Sequence, residues 1–282
     1  MSVPPNLLIP AEVAPARVPA AVGDLAALVA EPPDGATTAG GVPVLLAPGY
    51  TGSKEDFLPI LAPLARAGHR AAAIDLRGQH ESTGPDGPEA YTLDALAKDV
   101  AAVLAWLGEP AHLVGHSFGG LVTRRSVIDG ARPRTLTLLG SGPAALGGKR
   151  AQIIAMMRDL LQGGGGVEAI ADAEEAMRGA ALPTDVSAFL RQRWLNTSPT
   201  GLLVMGAELL AATDEVEALA AAGVPTLVVH GETDDAWLPA EQHAMAQRLR
   251  ADYAVVPGAV HSPACEAPEP LVDILLRFWA RW

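Results

Sequence analysis

Apolar positions along the chain fall into two kinds of run. Short, nearly continuous runs at residues 42–47, 70–74, 112–115, 134–139, 225–230 and 253–256 have the length and composition of strands buried on both faces. Between them lie longer segments with apolar residues at helical spacing, at 54–67, 93–107, 118–125, 239–249 and 269–281. This alternation predicts an α/β fold, a mostly parallel central sheet with helices on both faces. The carboxyl ends of such strands share one edge, and ligands of such sheets bind there. Ahead of the alternation, Gly23-Asp24 separates two apolar runs within residues 20–30, which predicts a β-hairpin closed by the turn Pro32-Pro33-Asp34-Gly35. Residues 1–15 carry Pro4, Pro5, Pro10 and Pro15 and are expected to form an extended arm.

The rhythm stops between Pro143 and Val224. Ile153, Met156, Met157, Leu160 and Leu161 fall at helical spacing, a glycine run follows at 163–166, and Phe189, Trp194 and residues 202–210 continue without a strand pattern. The expectation is an all-helical cap, residues 143–222, inserted into a sheet domain made of residues 1–142 and 223–282. A layer inserted there must lie over the strand ends, so Met156, Met157 and Trp194, with Trp237 from the loop after 225–230, are expected to shape a substrate pocket.

Composition narrows the chemistry. With 282 residues and 49% hydrophobic content the chain can bury a sizeable core. Its net charge of -12, from 20 basic against 32 acidic residues, argues against nucleic acid, whose phosphates need clustered Lys and Arg. The first ten residues lack a basic leader followed by a long apolar stretch, and no later segment approaches about 18 uninterrupted apolar residues. A soluble cytoplasmic protein with a small-molecule partner and no membrane span is expected. Cys265 is the only cysteine, so no disulfide within the chain and no thiolate metal site is expected. Neither a P-loop, a dinucleotide fingerprint nor His-Glu-x-x-His occurs, so no cofactor and no metal are expected.

The candidate chemistry centres on Gly115-His116-Ser117-Phe118-Gly119, between the apolar run at 112–115 and the helical pattern from 118. A strand that reverses into a helix within a couple of residues strains the central residue and needs glycines beside it, which describes a nucleophile elbow at Ser117. The Phe118 amide, opening the helix, can face the same space as an anion donor. A serine hydroxyl needs a base and a group to orient that base. Of the seven histidines, His69 and His112 open strands at the opposite edge, His243 lies within a helix and His116 sits inside the elbow. His261 follows the last strand and the turn Pro257-Gly258-Ala259-Val260, and is the candidate base. The preceding strand ends in Gly231-Glu232-Thr233-Asp234-Asp235, where either aspartate is a candidate acid. Pro48-Gly49-Tyr50-Thr51-Gly52 follows the first buried strand, and its Tyr50 amide is the candidate second donor to an oxyanion, beside Phe118.

The order Ser117, Asp234, His261 resembles that of the α/β-hydrolases over nearly the whole chain. Pro48-Gly49-Tyr50-Thr51-Gly52 is similar to that family's His-Gly-x-x-Gly oxyanion loop, with Pro48 in place of the histidine. Asp75-Leu76-Arg77-Gly78 resembles its Asp-x-Arg-Gly loop, and Gln79-His80-Glu81-Ser82 departs from the usual Gly-x-Ser continuation. Gly258-Ala259-Val260-His261-Ser262 is similar to the loop that carries the family's histidine. The family's acid lies three residues after the glycine that ends its strand, which selects Asp234 after Gly231, although Pro239 has the family's proline spacing from Asp235. The resemblance implies a serine hydrolase, expected to be a carboxylesterase that handles small or medium apolar acyl esters through an acyl-enzyme on Ser117. Carbon-carbon bond hydrolases, lactonases and thioesterases share the triad, and a binding protein with slow or no turnover can share the fold.

Overall fold

The computed structural model describes residues 2–33, 41–108, 110–178 and 182–282, and strands form where the apolar runs are shortest and least interrupted. In chain order they are β1 (Val13–Ala20), β2 (Gly23–Ala30), β3 (Val44–Ala47), β4 (Ala71–Ile74), β5 (His112–His116), β6 (Thr135–Leu139), β7 (Thr226–Gly231) and β8 (Asp252–Val256). They make an eight-stranded sheet in the order β1-β2-β4-β3-β5-β6-β7-β8. β2 pairs antiparallel with β1 and β4, and every other neighbouring pair is parallel.

The helices are α1 (Leu58–Arg66), α2 (Leu93–Leu107), α3 (Phe118–Ile128), α4 (Gly148–Gln162), α5 (Gly166–Met177), α6 (Thr184–Leu195), α7 (Pro199–Ala211), α8 (Val216–Ala221), α9 (Pro239–Leu249), the short α10 (Pro263–Glu266) and α11 (Pro268–Trp279). Every residue from β3 through β7 that lies in a strand is buried, because helices cover both faces. Side-chain alternation divides β3 between the two layers. Leu45 and Ala47 join a core with Leu96 and Val100 of α2 and Leu121 of α3, while Val44 and Leu46 join one with Leu61 of α1 and Leu271 and Leu275 of α11. Burying each of these leucines stabilises the fold by roughly 1.5–3 kcal/mol.

The hairpin lies earlier than its sequence pattern predicts. β1 begins at Val13, so residues 13–15 belong to a strand and not to the arm, and the connecting residues are Ala21 and Val22, with Gly23-Asp24 opening β2. Pro15 and Pro19 are compatible with β1 because it is the edge strand, where a missing amide costs no ladder bond on the open side. Asp34 and Gly35 of the predicted closing turn lie outside the described residues. The single helix predicted over 54–67 is divided, with a tight 3₁₀ turn at Lys54–Phe57 before α1. Pro59 stands in the first turn of α1, the one place where a helix needs no amide hydrogen from it.

Between β6 and β7 the described residues form helices α4 to α8 and no strand. α4 packs on α5 and α7, and α5 on α6, whereas α8 packs on α3 and α9. The loop after β4 is tied down by a buried bidentate pair, with Arg77 Nε and Nη2 each 2.8 Å from the Asp99 carboxylate of α2. In the same loop His80 adopts φ 40°, a left-handed conformation suited to the glycine that the resemblance leads one to expect there. No helix among the described residues is long and apolar enough to cross a membrane.

Candidate active site

The elbow is built from close approach. A Cβ at Gly115 would come within 2.4 Å of the Gly119 carbonyl oxygen, and one at Gly119 within 2.4 Å of the Pro48 carbonyl oxygen, so neither position admits a larger residue without displacing backbone. Between them Ser117 is held at φ 54°, ψ −119°, a conformation that costs a non-glycine residue on the order of 1–3 kcal/mol. Its amide donates to the Leu139 carbonyl of β6 at 2.9 Å, which locks the turn to the neighbouring strand. Ser117 is therefore lifted off the end of β5 at the start of α3.

Two loops from the far end of the sheet reach it. His261, beyond β8, lies with Nε2 3.0 Å from Ser117 Oγ and Nδ1 2.9 Å from Asp234 Oδ1. A carboxylate only accepts, so Nδ1 carries the proton, and Nε2 is left as acceptor for the serine hydroxyl. The Asp234 side chain is fully buried. Burial opposes its charge, and donation from His261, the Ala236 amide and Gln242 outweighs this, so its carboxyl titrates below the usual carboxylate range. Asp235 points the other way, more than half exposed, with Oδ1 2.6 Å from Arg150 Nη2 of α4. Of the two adjacent aspartates, Asp234 alone meets the imidazole.

Two further side chains hold this chain of groups: Gln242, which no motif announces, and His116, which occupies a variable position of the elbow motif. Gln242 of α9, fully buried, donates from Nε2 to Asp234 Oδ2 at 3.0 Å and to the Trp237 carbonyl at 2.9 Å. His116, inside the elbow, donates from Nε2 to the His261 backbone carbonyl at 2.7 Å. Burial, then the neighbouring His261, pushes the His116 imidazole down to about 3, so it stays neutral and acts as a fixed donor.

The loop of Gly49 and Tyr50 lies against the serine: a Cβ at Gly49 would be 3.2 Å from Ser117 Cβ. The Tyr50 side chain turns away, its hydroxyl donating to the Leu202 carbonyl of α7 at 2.8 Å and its ring edge-on to Phe118 at 6.4 Å. Among the described residues the Tyr50 and Phe118 amides donate to no protein acceptor.

Beside Ser117 and His261 opens a cavity of about 280 Å³, walled by Leu146, Ile153, Ile154, Met157, Met177 and Leu209, with Arg150 and the paired Glu174 and Arg178 also on its lining. Of the four residues expected to shape the pocket, Met157 lines it. Met156 does not, because consecutive helix residues point about 100° apart and it lies on the exposed side of α4. Trp194 is buried in the core under α6. Trp237 is buried behind the wall, its Nε1 donating to the Ala144 carbonyl at 3.0 Å, and its neighbour Ala236 reaches the cavity instead. No group of three or more His, Cys, Asp or Glu side chains among the described residues could hold a metal ion.

Residues 44–274 match the Alpha/beta hydrolase family. The chain is 32% identical over 210 residues to the AB hydrolase superfamily protein YisY of Bacillus subtilis strain 168, covering 69% of itself and 75% of that protein. It is 40% identical over 106 residues to RutD of Variovorax paradoxus strain S110, which is 36% of this chain, and spans only 39% of that relative's length. A carboxylesterase structure from the thaumarchaeon Nitrososphaera gargenis superposes with a TM-score of 0.74 at 20% identity, covering 94% of this chain and 98% of the other. By the match over most of its length and the likeness to YisY, the chain belongs to the alpha/beta hydrolase family.

Proposed function

We propose that this protein is a serine hydrolase, a carboxylesterase for small or medium apolar acyl esters. The observation that carries the reading is the unbroken hydrogen-bond chain from Ser117 Oγ through His261 to Asp234. In the first half-reaction Ser117 Oγ attacks the ester carbonyl carbon as its proton passes to His261 Nε2. The resulting imidazolium is stabilised by Asp234, which keeps its negative charge. The tetrahedral oxyanion is met by the amides of Tyr50 and Phe118, each such donor contributing a factor of about 10²–10³ in rate. Collapse breaks the bond to the alcohol oxygen, which leaves with the proton from His261 and deposits the acyl group on Ser117. Water then repeats the sequence, giving its proton to His261 and its oxygen to the acyl carbon, and frees the acid and the serine.

The cavity supports the substrate class. Its volume of about 280 Å³ is at the small end of ligand pockets, and its mainly aliphatic wall, on which Arg150, Glu174 and Arg178 are the charged members, supports an apolar acyl chain. We take the cap, expected over residues 143–222, to be α4 to α7, of which α4, α5 and α7 supply most of that wall, while α8 packs on α3 and α9. A series of p-nitrophenyl esters from acetyl to lauroyl tests the reading: turnover should peak at short or medium chains and vanish in Ser117→Ala. Failure to hydrolyse any ester in the series would overturn it.

A further inference from the structure

Gln79, in the segment where the loop after β4 departs from the family pattern, is almost wholly buried and has a single possible orientation. Its Oε1 accepts from the Leu76 amide at 3.0 Å, and its Nε2 donates to the carbonyls of Gly49 at 2.8 Å and Tyr50 at 3.0 Å. An amide hydrogen can only donate and a carbonyl can only accept, so a flip of the side-chain amide would set three like groups against each other. Gln79 itself is pinned by its backbone, its amide donating to the Leu76 carbonyl and its carbonyl accepting from the Ser82 amide.

The Gly49 carbonyl belongs to the same peptide unit as the Tyr50 amide. That unit is planar and trans, so its oxygen and its amide hydrogen point to opposite sides. The Gly49 oxygen has two donors on its side, Gln79 Nε2 and the Gly52 amide at 3.1 Å, and rotation of the peptide would break both. Fixing the oxygen fixes the hydrogen. Donation to a carbonyl also polarises the peptide and strengthens its own amide as a donor. On the other flank, the Tyr50 hydroxyl holds α7, so the residue cannot swing with its side chain.

We infer that Gln79 is the positioning residue of the oxyanion hole: it orients and polarises the Gly49–Tyr50 peptide so that the Tyr50 amide is aimed at the developing oxyanion before substrate arrives. This rests on the reading of Ser117 as the acylated serine. Gln79 touches no substrate and acts through the loop alone, so its loss falls on the transition state and spares ground-state binding.

Two substitutions test this in the full chain. Gln79→Glu keeps the acceptor for the Leu76 amide and turns carboxylate oxygen toward the two carbonyls, while Gln79→Met fills the space without donors. In each variant that folds by circular dichroism, kcat on p-nitrophenyl acetate should fall roughly 10²-fold with KM within about threefold. The Ki of an alkyl trifluoromethyl ketone, whose hemiketal oxyanion needs both amides, should rise by a similar factor. A folded variant with kcat and Ki each within about threefold of the parent overturns the role of Gln79, as does a loss of kcat accompanied by an unchanged Ki. Ester hydrolysis surviving in Ser117→Ala would instead overturn the serine reading on which the role depends.

Discussion

Gln242 Nε2 donates to Oδ2 of Asp234, the oxygen that His261 leaves free, so the carboxylate is gripped from both ends and cannot rotate away from the imidazole. Its two oxygens have separate tasks: Oδ1 faces His261 and the Ala236 amide, and Oδ2 takes the glutamine. That division makes the neighbouring aspartates experimentally distinguishable.

Asp234→Asn should lower kcat by about 10⁴, because an amide nitrogen facing Nδ1 favours the imidazole tautomer that cannot accept the serine proton. Asp235→Asn removes only an exposed pair with Arg150 and should keep kcat within several-fold of the parent. Side-by-side rates on one p-nitrophenyl ester decide between them.

Ser117 carries a strain that its own replacement can relieve. Both Ser117→Ala and Ser117→Gly should lose about 10⁶ in kcat. The glycine variant should be more stable than the alanine variant by about 1 kcal/mol, since only glycine accepts φ 54° with ψ −119° without a steric cost. Urea unfolding of the two inactive proteins reads the difference.

Acid should unfold the protein through two histidines that are neutral in the fold. Burial, then the neighbouring His69, pushes His112 down to about 3, and His116 stands at about 3 for the reasons given above. An unfolded chain protonates each near pH 6.5. Below that pH the unfolded state binds more protons, so stability falls with pH from about 6.5 toward about 3, at roughly 1.4 kcal/mol per pH unit for each histidine. His112→Phe, which keeps a ring stacked on Trp279 at the present 4.6 Å centroid distance, should make the slope between pH 6 and 4 shallower by one proton. An unchanged slope, from urea titrations across that range, would mean that His112 is already protonated in the fold.

Met157→Ala should shift chain-length preference toward longer or bulkier acyl groups, with little change on the acetyl ester, because it enlarges the cavity wall. Met156→Ala, one residue away and half-exposed, should leave the preference as it was. Equal shifts in both would place the acyl group elsewhere.

How much of this was legible in the sequence differs by element. The parallel strands and the flanking helices could be read because burial on both faces demands continuous apolar runs, and the nucleophile elbow because its geometry demands glycine. β1 was hidden by its prolines, which read as breakers until its place at the sheet edge is known. Met156 and Met157 have the same side chain, and only the rotation of α4 separates them. Gln79 and Gln242 carry no spacing signature. A glutamine acquires its task only when folding brings acceptors to both ends of its amide, and nothing local to residue 79 or 242 encodes where those acceptors will be.

The bond between Ser117 and His261 closes a loop with a sequence separation of 144, across the whole helical insertion and the last two strands. Closing so long a loop costs entropy that only later contacts repay. A ribosome-bound chain that has emerged only through β6 has the residues of the elbow and the Leu139 carbonyl that locks it, but neither Asp234 nor His261, so its serine has no base. If the proposed esterase reading holds, recovery of ester hydrolysis during refolding should consequently lag behind recovery of helical signal, which makes turnover a clock for the docking of the loops that follow β7 and β8.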